Sequence, residues 1–123
     1  NNDYRKKSVA HMQKLINVTK TLKKYFPNTQ KPKIIVNCGG FSKDSFIKDK
    51  HKPQYYNNLI TSLNLLDTRY VEILPQIMAP YPWHFGGQRY QNLFMNISEV
   101  IDFNKKNIKV LEIQTNYFLI QLY

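Results

Sequence analysis

The sequence predicts an α/β fold in which parallel strands alternate with crossover helices. Three short apolar runs begin at Ile34, Val71 and Ile108; they are evenly spaced, and each follows a segment with helical periodicity. Parallel neighbours need a crossover of a dozen or more residues, usually a helix, so this alternation indicates a parallel sheet. A chain of 123 residues, 42% of them hydrophobic, can bury one core. We therefore expect a single domain over residues 1–123.

The first part of the chain predicts one helix and one strand. A helix is expected over residues 4–26, because apolar side chains recur three and four positions apart and form a face suited to burial. These side chains are Val9, Met12, Leu15, Ile16, Leu22 and Phe26. The β-branched run at residues 34–36 lies between a proline and the pair Gly39 and Gly40. It predicts a strand that is buried on both faces.

A second helix and strand follow. The helix is expected to begin near Pro53, which suits a first helical turn, and to end near Asp67. Its apolar side chains fall on one side, at Tyr56, Leu59, Ile60, Leu63 and Leu66. The strand at residues 71–74 should stop at Pro75, because proline cannot donate to a sheet ladder.

The last helix has a clear start signal. Asn96 followed by Glu99 is a relative of the capping box, and Asn107 is a suitable C-terminal cap. We expect the helix to turn three side chains inward, those of Ile97, Val100 and Ile101. Residues 108–114 then predict a third strand.

The composition restricts the partners of the chain. Its 18 Lys and Arg residues against 8 Asp and Glu residues give a net charge of +10, which favours phosphates or nucleic acid as partners. Lysine predominates and is scattered over helices and loops, so a solvated surface is the preferred interpretation. No apolar run approaches the ~20 residues needed to cross a bilayer. Cys38 is the only cysteine, which excludes an internal disulfide, and we expect a cytoplasmic protein.

The loops that leave the strands are the candidate functional segments. In a parallel sheet both loops, residues 37–44 and 75–92, emerge at the carboxyl edge, where α/β proteins place their sites. The second loop is far longer than the ~2–6 residues usual for such a connection. Its Trp83, Tyr81 and Phe85 suit packing, whereas His84 suits proton transfer. Gln88 supplies hydrogen-bonding groups, and Arg89 could clamp a carboxylate or phosphate.

The first loop offers weaker signals. Its glycine pair could present backbone amides to an anion, although a simple turn is the preferred interpretation. Cys38 is interpreted as a buried structural thiol, and Asn37, just after the strand, as a substrate contact. The strand carboxylates Glu72 and Glu112 could bind a divalent metal if they point into a barrel.

Two segments carry a family resemblance. Residues 73–94, ILPQIMAPYPWHFGGQRYQNLF, resemble a signature loop of the xylose-isomerase-like barrel superfamily, and residues 35–42, IVNCGGFS, are similar to an earlier strand and loop of the same proteins. That superfamily includes sugar phosphate isomerases, epimerases and apurinic endonucleases. The resemblance implies a (β/α)8 TIM barrel of which this chain holds about three βα units. It also implies a divalent metal, zinc, manganese or magnesium, at the carboxyl face.

Together with the loop chemistry, this gives candidate roles to residues. His84 is the candidate catalytic acid or base. The candidate substrate contacts are Asn37, Gln76, Trp83, Gln88 and Arg89. The metal positions would be Gln76, where relatives commonly have a glutamate, and Glu112.

Three functions stay open at this point. The leading hypothesis is a sugar or sugar phosphate isomerase or epimerase with a small sugar as its partner, in a chain that is expected to be incomplete and could be inactive. An apurinic endonuclease-like phosphodiesterase would instead bind nucleic acid, and a non-catalytic barrel remnant would bind no metal. About three strands of eight leave open sheet edges, so self-association or pairing with a missing barrel half is expected.

Overall fold

The structure, a computed structural model, describes residues 2–81, 83–84 and 86–107, with only the backbone described at residues 83, 84 and 107. Three helices and six short strands make up this part of the chain. In chain order they are α1 (Asn2–Leu22), β1 (Lys33–Val36), β2 (Phe41–Ser42), α2 (Lys52–Leu63), β3 (Glu72–Pro75), β4 (Trp83–His84), β5 (Gly87–Gln88), β6 (Tyr90–Gln91) and α3 (Ile97–Asn107). Two 3₁₀ turns, Lys23–Tyr25 and Asp49–His51, follow α1 and precede α2.

Strands β1 and β3 pair in parallel, with α2 between them in the chain, which confirms the predicted α/β class with a helical crossover between parallel strands. The other two described pairings, β2 with β6 and β4 with β5, are antiparallel and differ from the expected all-parallel arrangement. Ile34 lies opposite Ile73, and Val36 lies opposite Pro75. Backbone bonds to β1 come from the N–H groups of Glu72 and Gln76. Because successive N–H groups of a strand point to opposite sides, the missing N–H of Pro75 faces away from β1 and costs no ladder bond.

The third predicted strand, residues 108–114, lies outside the described residues, and so does Glu112. The sequence predicts residues 75–92 as one long loop without strands, and the structure differs. This segment contains the strands β4, β5 and β6, so part of it is ordered by its own backbone hydrogen bonds.

The prediction that β1 is buried on both faces is wrong. Ile34 is buried, whereas the side chain of Ile35 is 64% exposed. Successive side chains of a strand point to opposite faces, and the described helices cover only the face that carries Ile34 and Ile73. Glu72 and Leu74 lie with Ile35 on the other face, because they alternate with Ile73.

One hydrophobic core lies between that covered face and the helices. All three helices contribute fully buried or nearly buried side chains to it. Its members are Ile16, Ile34, Cys38, Leu63, Val71, Ile73, Leu93, Phe94, Val100 and Phe103. The face of α2 that the sequence predicts to be apolar packs against this core, as expected.

Helix α1 buries much less than its sequence pattern predicts. Only Ile16 is buried, Met12 packs against the core, and Leu15, Leu22 and Phe26 stay exposed. The reason is length, since a helix of 21 residues is about 30 Å long while a strand of four residues spans about 13 Å. The ends of α1 therefore extend beyond the sheet that it covers.

Helix α3 begins where the sequence predicts. The Asn96 side chain accepts a hydrogen bond from the Glu99 N–H at 3.0 Å, which caps the helix. The predicted cap at Asn107 is the last of the described residues, so its role stays a prediction. Val100 is buried as predicted, but Ile97 and Ile101 are exposed, because the buried face instead runs through Phe103 and Asn104. Helix α2 begins one residue before Pro53 and ends at Leu63, earlier than predicted. None of the helices described here is both long and apolar enough to cross a membrane.

Candidate functional site

The two loops that leave β1 and β3 join each other at the carboxyl edge of the sheet. Strand β2 of the first loop pairs antiparallel with β6 of the second, with Phe41 opposite Gln91 and Ser42 opposite Tyr90. The N–H of Asn92 also donates to the carbonyl of Gly40 at 3.2 Å. The structure thus brings together the two segments that the sequence singles out.

The first loop depends on a glycine at position 39. Gly39 has a φ of +86°, a left-handed backbone conformation that residues with a side chain rarely adopt. A Cβ at this position would lie 2.6 Å from the Cβ of Leu93, whose side chain is fully buried. The close approach lets the first loop lie directly on the end of the second.

A buried glutamine connects the loops to the end of β1. The Gln91 side chain is fully buried, and its Nε2 donates to the Leu93 carbonyl at 2.7 Å and to the Cys38 carbonyl at 3.3 Å. The same nitrogen lies 3.4 Å from Oδ1 of Asn37. Its Oε1 is buried without a hydrogen-bond partner among the described residues. The two N–H groups of Gln91 therefore link the Leu93 and Cys38 carbonyls, and the longer approach to the Asn37 oxygen is the weakest of the three contacts.

Asn92 makes a second link between the loops. Its Nδ2 donates to the Gly39 carbonyl at 3.1 Å, and its Oδ1 accepts a 2.6 Å hydrogen bond from the Ser42 hydroxyl. We call Asn37, Ser42, Gln91 and Asn92 the amide cluster. It is neutral, and it offers both donors and acceptors at the strand ends.

Gln76 and Asn37 stand side by side. They directly follow two strands whose last residues, Pro75 and Val36, are register partners, and the Gln76 N–H donates to the Val36 carbonyl at 2.8 Å. Both side chains are exposed. Two of the predicted substrate contacts therefore share one exposed edge, next to the buried part of the amide cluster.

Cys38 is unsuited to nucleophilic chemistry. Its side chain is buried, and its Sγ donates weakly to the Val36 carbonyl at 3.8 Å. Burial raises the pKa of the thiol to about 12. Since the thiolate is the nucleophilic form, the interpretation of Cys38 as a structural thiol agrees with this environment.

The other predicted site residues lie in a hairpin of β4 and β5. Trp83 pairs with Gln88 and His84 pairs with Gly87 through their backbones. The Gln88 amide donates to the Tyr81 carbonyl at 2.8 Å, so it stabilises the hairpin base. The directions of the Trp83 and His84 side chains lie outside what the structure describes, so their roles stay predictions.

Arg89 follows the hairpin directly. Its Nη1 donates to the Gln88 carbonyl at 2.9 Å, and the structure gives it no ion pair with a described carboxylate. A guanidinium has five N–H groups, so several donors are left for an anionic group. This arrangement is compatible with the predicted phosphate or carboxylate clamp.

Three aromatic rings form the outer border of the joined loops. Phe46 lies edge-on to Tyr81 and Tyr90, with ring centroids 5.1 and 5.0 Å away. Tyr81 and Tyr90 also meet edge-on at 5.9 Å. The packing role that the sequence predicts for Tyr81 is confirmed, although this ring stays largely exposed.

A charged network fastens the end of the second loop to α2. The Glu99 carboxylate accepts hydrogen bonds from Lys52 Nζ at 2.8 Å, from the Tyr56 hydroxyl at 2.6 Å and from the Phe94 N–H at 2.9 Å. Phe94 has a φ of +55°, so this contact holds a strained residue in place. Burial raises the pKa of Glu99. The hydrogen bonds from Lys52 and Tyr56 lower it, and together with the charge of Lys52 they outweigh burial, so the pKa of Glu99 lies below its ordinary value.

The described part of the chain contains no group of side chains that could hold the expected metal ion. Within residues 2–81, 83–84 and 86–107, no three His, Cys, Asp or Glu side chains are grouped to hold an ion. Gln76 is neutral and exposed, and Glu112 lies outside the described residues. Glu72 is half-buried, and its Oε2 lies 3.7 Å from Lys33 Nζ. A zinc, manganese or magnesium site therefore stays a prediction from the resemblance.

Comparison of the chain with protein-family models, curated proteins and solved structures gives no match. The likeness of residues 35–42 and 73–94 to the xylose-isomerase-like superfamily accordingly stays a prediction from the sequence.

Sequence reasoning missed Ser42, Gln91 and Asn92 as parts of the site. The consecutive amides Gln91 and Asn92, at the far end of a long glycine-containing loop, were the only available signal. Their importance depends on β2 pairing with β6, which brings together residues some fifty positions apart in sequence.

Proposed function

We propose that the chain is about three βα units of a (β/α)8 barrel enzyme that acts on a sugar or sugar phosphate, in the isomerase and epimerase class. The carrying observation is that buried Gln91 joins both loops at the carboxyl edge of the parallel strands, where Asn37 and Gln76 lie side by side. α/β proteins bind their ligands at this edge.

The distribution of helices supports a barrel rather than a doubly wound sheet. The three described helices share one core on the face of Ile34 and Ile73, and Ile35 on the other face is exposed. Doubly wound sheets carry helices on both faces, whereas a barrel carries them only on the outside. In a completed barrel, Ile35, Glu72 and Leu74 would point into the interior.

The chemistry of the edge suits a neutral polyol. Sugar hydroxyls both donate and accept hydrogen bonds, and the exposed amides of Asn37 and Gln76 each offer both functions. The Asn37 side chain is exposed, so its amide can reach a ligand at this edge. Arg89 would bind the phosphate of a sugar phosphate through its remaining N–H groups.

The proposed reaction removes a proton from the carbon next to the sugar carbonyl. In isomerisation a proton returns to the carbonyl carbon while the hydroxyl proton passes to the carbonyl oxygen, and in epimerisation a proton returns to the opposite face of the same carbon. We assign the proton transfer to His84, because an imidazole titrates near neutral pH. A divalent metal, where the complete protein binds one, would polarise the carbonyl. The described residues offer no set of ligands for this metal, so the proton transfer is derived from His84 alone.

The test measures binding and turnover of a panel of pentose and hexose phosphates with the chain as it exists. Asn37→Ala should weaken binding about tenfold, which corresponds to one lost hydrogen bond. The matched control is Asn58→Ala, an exposed amide on α2. His84→Ala should lower turnover by about a hundredfold while binding changes little.

Two results would refute this proposal. One is the absence of binding to every sugar phosphate in the panel. The other is equal weakening by Asn37→Ala and Asn58→Ala, which would mean that the carboxyl edge has no special role.

The net charge of +10 favours a second candidate, cleavage at abasic DNA. Abasic duplex should then bind tightly at low salt and lose affinity steeply as salt rises. Equal affinity for intact and abasic duplex would remove this candidate.

A further inference from the structure

A basic pocket of about 610 Å³ lies at the opposite, amino-terminal edge of the parallel sheet. It is formed by the end of α1, the segment that leads into β1, and the turn that leads into β3. Its cationic and aromatic lining comprises Lys20, Lys23, Lys24, Lys31, Arg69 and Tyr70. From the sequence these lysines are expected to be scattered surface charge. They converge with Arg69 only through the packing of α1.

One wall of the pocket is held in a fixed arrangement. Lys20 Nζ lies 4.1 Å from the centroid of the Tyr70 ring, and the Arg69 guanidinium carbon lies 5.5 Å from the same centroid. Arg69 donates two 2.8 Å hydrogen bonds to the Asp67 carboxylate, and the backbone N–H of Asp67 donates to the side-chain oxygen of Gln13 on α1. The aromatic ring and the carboxylate together keep two cations next to each other.

The local charge balance is strongly positive. Among the described residues no acidic side chain lines the pocket, and Asp67 beside it neutralises only one of the cations. The carbonyl end of α1 adds roughly half a negative charge. This partial charge is smaller than that of any single lysine, so Lys20, Lys23 and Lys24 leave a large positive excess.

We propose that this basic pocket binds a compact polyphosphorylated anion, such as inorganic triphosphate or the triphosphate of a nucleotide. Its volume falls within the ~300–1,000 Å³ of small-molecule sites, and its wide opening to solvent leaves room for a strongly hydrated anion. Several lysines around one cavity match the several charges of such an anion. The site is independent of the proposed sugar site, which lies at the other edge.

The experiment titrates inorganic triphosphate into the full chain by calorimetry at about 50 mM salt. Lys20→Gln/Lys24→Gln should weaken binding by about tenfold or more, since it removes two charges from the pocket. The matched control is Lys6→Gln/Lys7→Gln, which makes the same change in net charge. Its side chains are exposed on α1, about 20 Å along the helix from Lys20, so we expect less than about a twofold effect.

Three outcomes would overturn the proposal. The first is the absence of saturable binding up to about 1 mM triphosphate. The second is an equal loss in both double variants, which would indicate attraction by net charge alone. The third is binding of a short single-stranded oligonucleotide by a chain that does not bind triphosphate, which would favour a nucleic-acid surface.

Discussion

The substitution Gly39→Ala tests the contact that seats the first loop on the second. Two separate costs follow from the structure. The left-handed φ of +86° costs an alanine about 1–2 kcal/mol. The new Cβ would also meet the Cβ, Cγ and Cδ1 of Leu93 at 2.6, 2.7 and 2.9 Å. Overpacking of this kind in a buried region costs about 1–3 kcal/mol, so we expect a total loss of about 2–5 kcal/mol.

Two other glycines separate these costs. Gly40 and Gly86 also have positive φ values, +65° and +73°. A Cβ at Gly40 would have its nearest neighbour at 4.0 Å, and one at Gly86 would have none within 4 Å. The alanine variants at both positions should therefore lose only the conformational part, about 1–2 kcal/mol.

Urea denaturation followed by circular dichroism measures the free energy of unfolding of all three variants. If Gly39→Ala does not fold at all while both controls do, the ranking still holds. A Gly39→Ala variant whose stability equals that of Gly40→Ala within about 0.5 kcal/mol would refute the packing argument, because the Leu93 contact would then cost nothing.

Three further predictions concern the site and its support. Glu99→Gln should cost about 1.5–3 kcal/mol at neutral pH, measured by thermal unfolding. The pKa of Glu99 is lower in the folded chain than in the unfolded chain, so Glu99 stabilises the fold at neutral pH and this stabilisation is lost as the pH falls below about 4.5. A Glu99→Gln variant whose stability falls with acid as much as that of the parent would contradict this. Cys38 should react with a thiol reagent at pH 8 only when denaturant unfolds the chain, and fast labelling of the native chain would show that the thiol is accessible. Ser42→Ala should cost about 1 kcal/mol through its lost bond to Asn92, whereas the exposed control Ser8→Ala should cost almost nothing.

Much of the secondary structure could be predicted because its signals are local. The capping pair Asn96 and Glu99 lies within one helical turn, and Pro53 marks the start of a helix by its fixed φ. The alternation of strands and helices indicated the parallel pairing of β1 with β3, since neighbouring strands joined by a helix run in the same direction.

Burial could not be predicted in the same way. The sequence shows that Leu15 and Ile35 are apolar, but their exposure depends on what else reaches them. A two-stranded sheet covers only part of a helix of 21 residues, and the described helices pack on a single face of that sheet. Apolar periodicity therefore predicted which side of each element could be buried, but it overestimated how many side chains on that side are buried.

By itself, the sequence determined the class of the fold, because strand direction follows from the order of elements. Strand direction also indicated the carboxyl edge as the place for a site, and Asn37 and Gln76 as candidate substrate contacts there. Only the tertiary structure decided that Gln91 and Asn92 complete this edge and that lysines of α1 meet Arg69 in a basic pocket. Both depend on contacts between residues far apart in the chain. Such contacts arise from packing, and no local pattern of side chains encodes them.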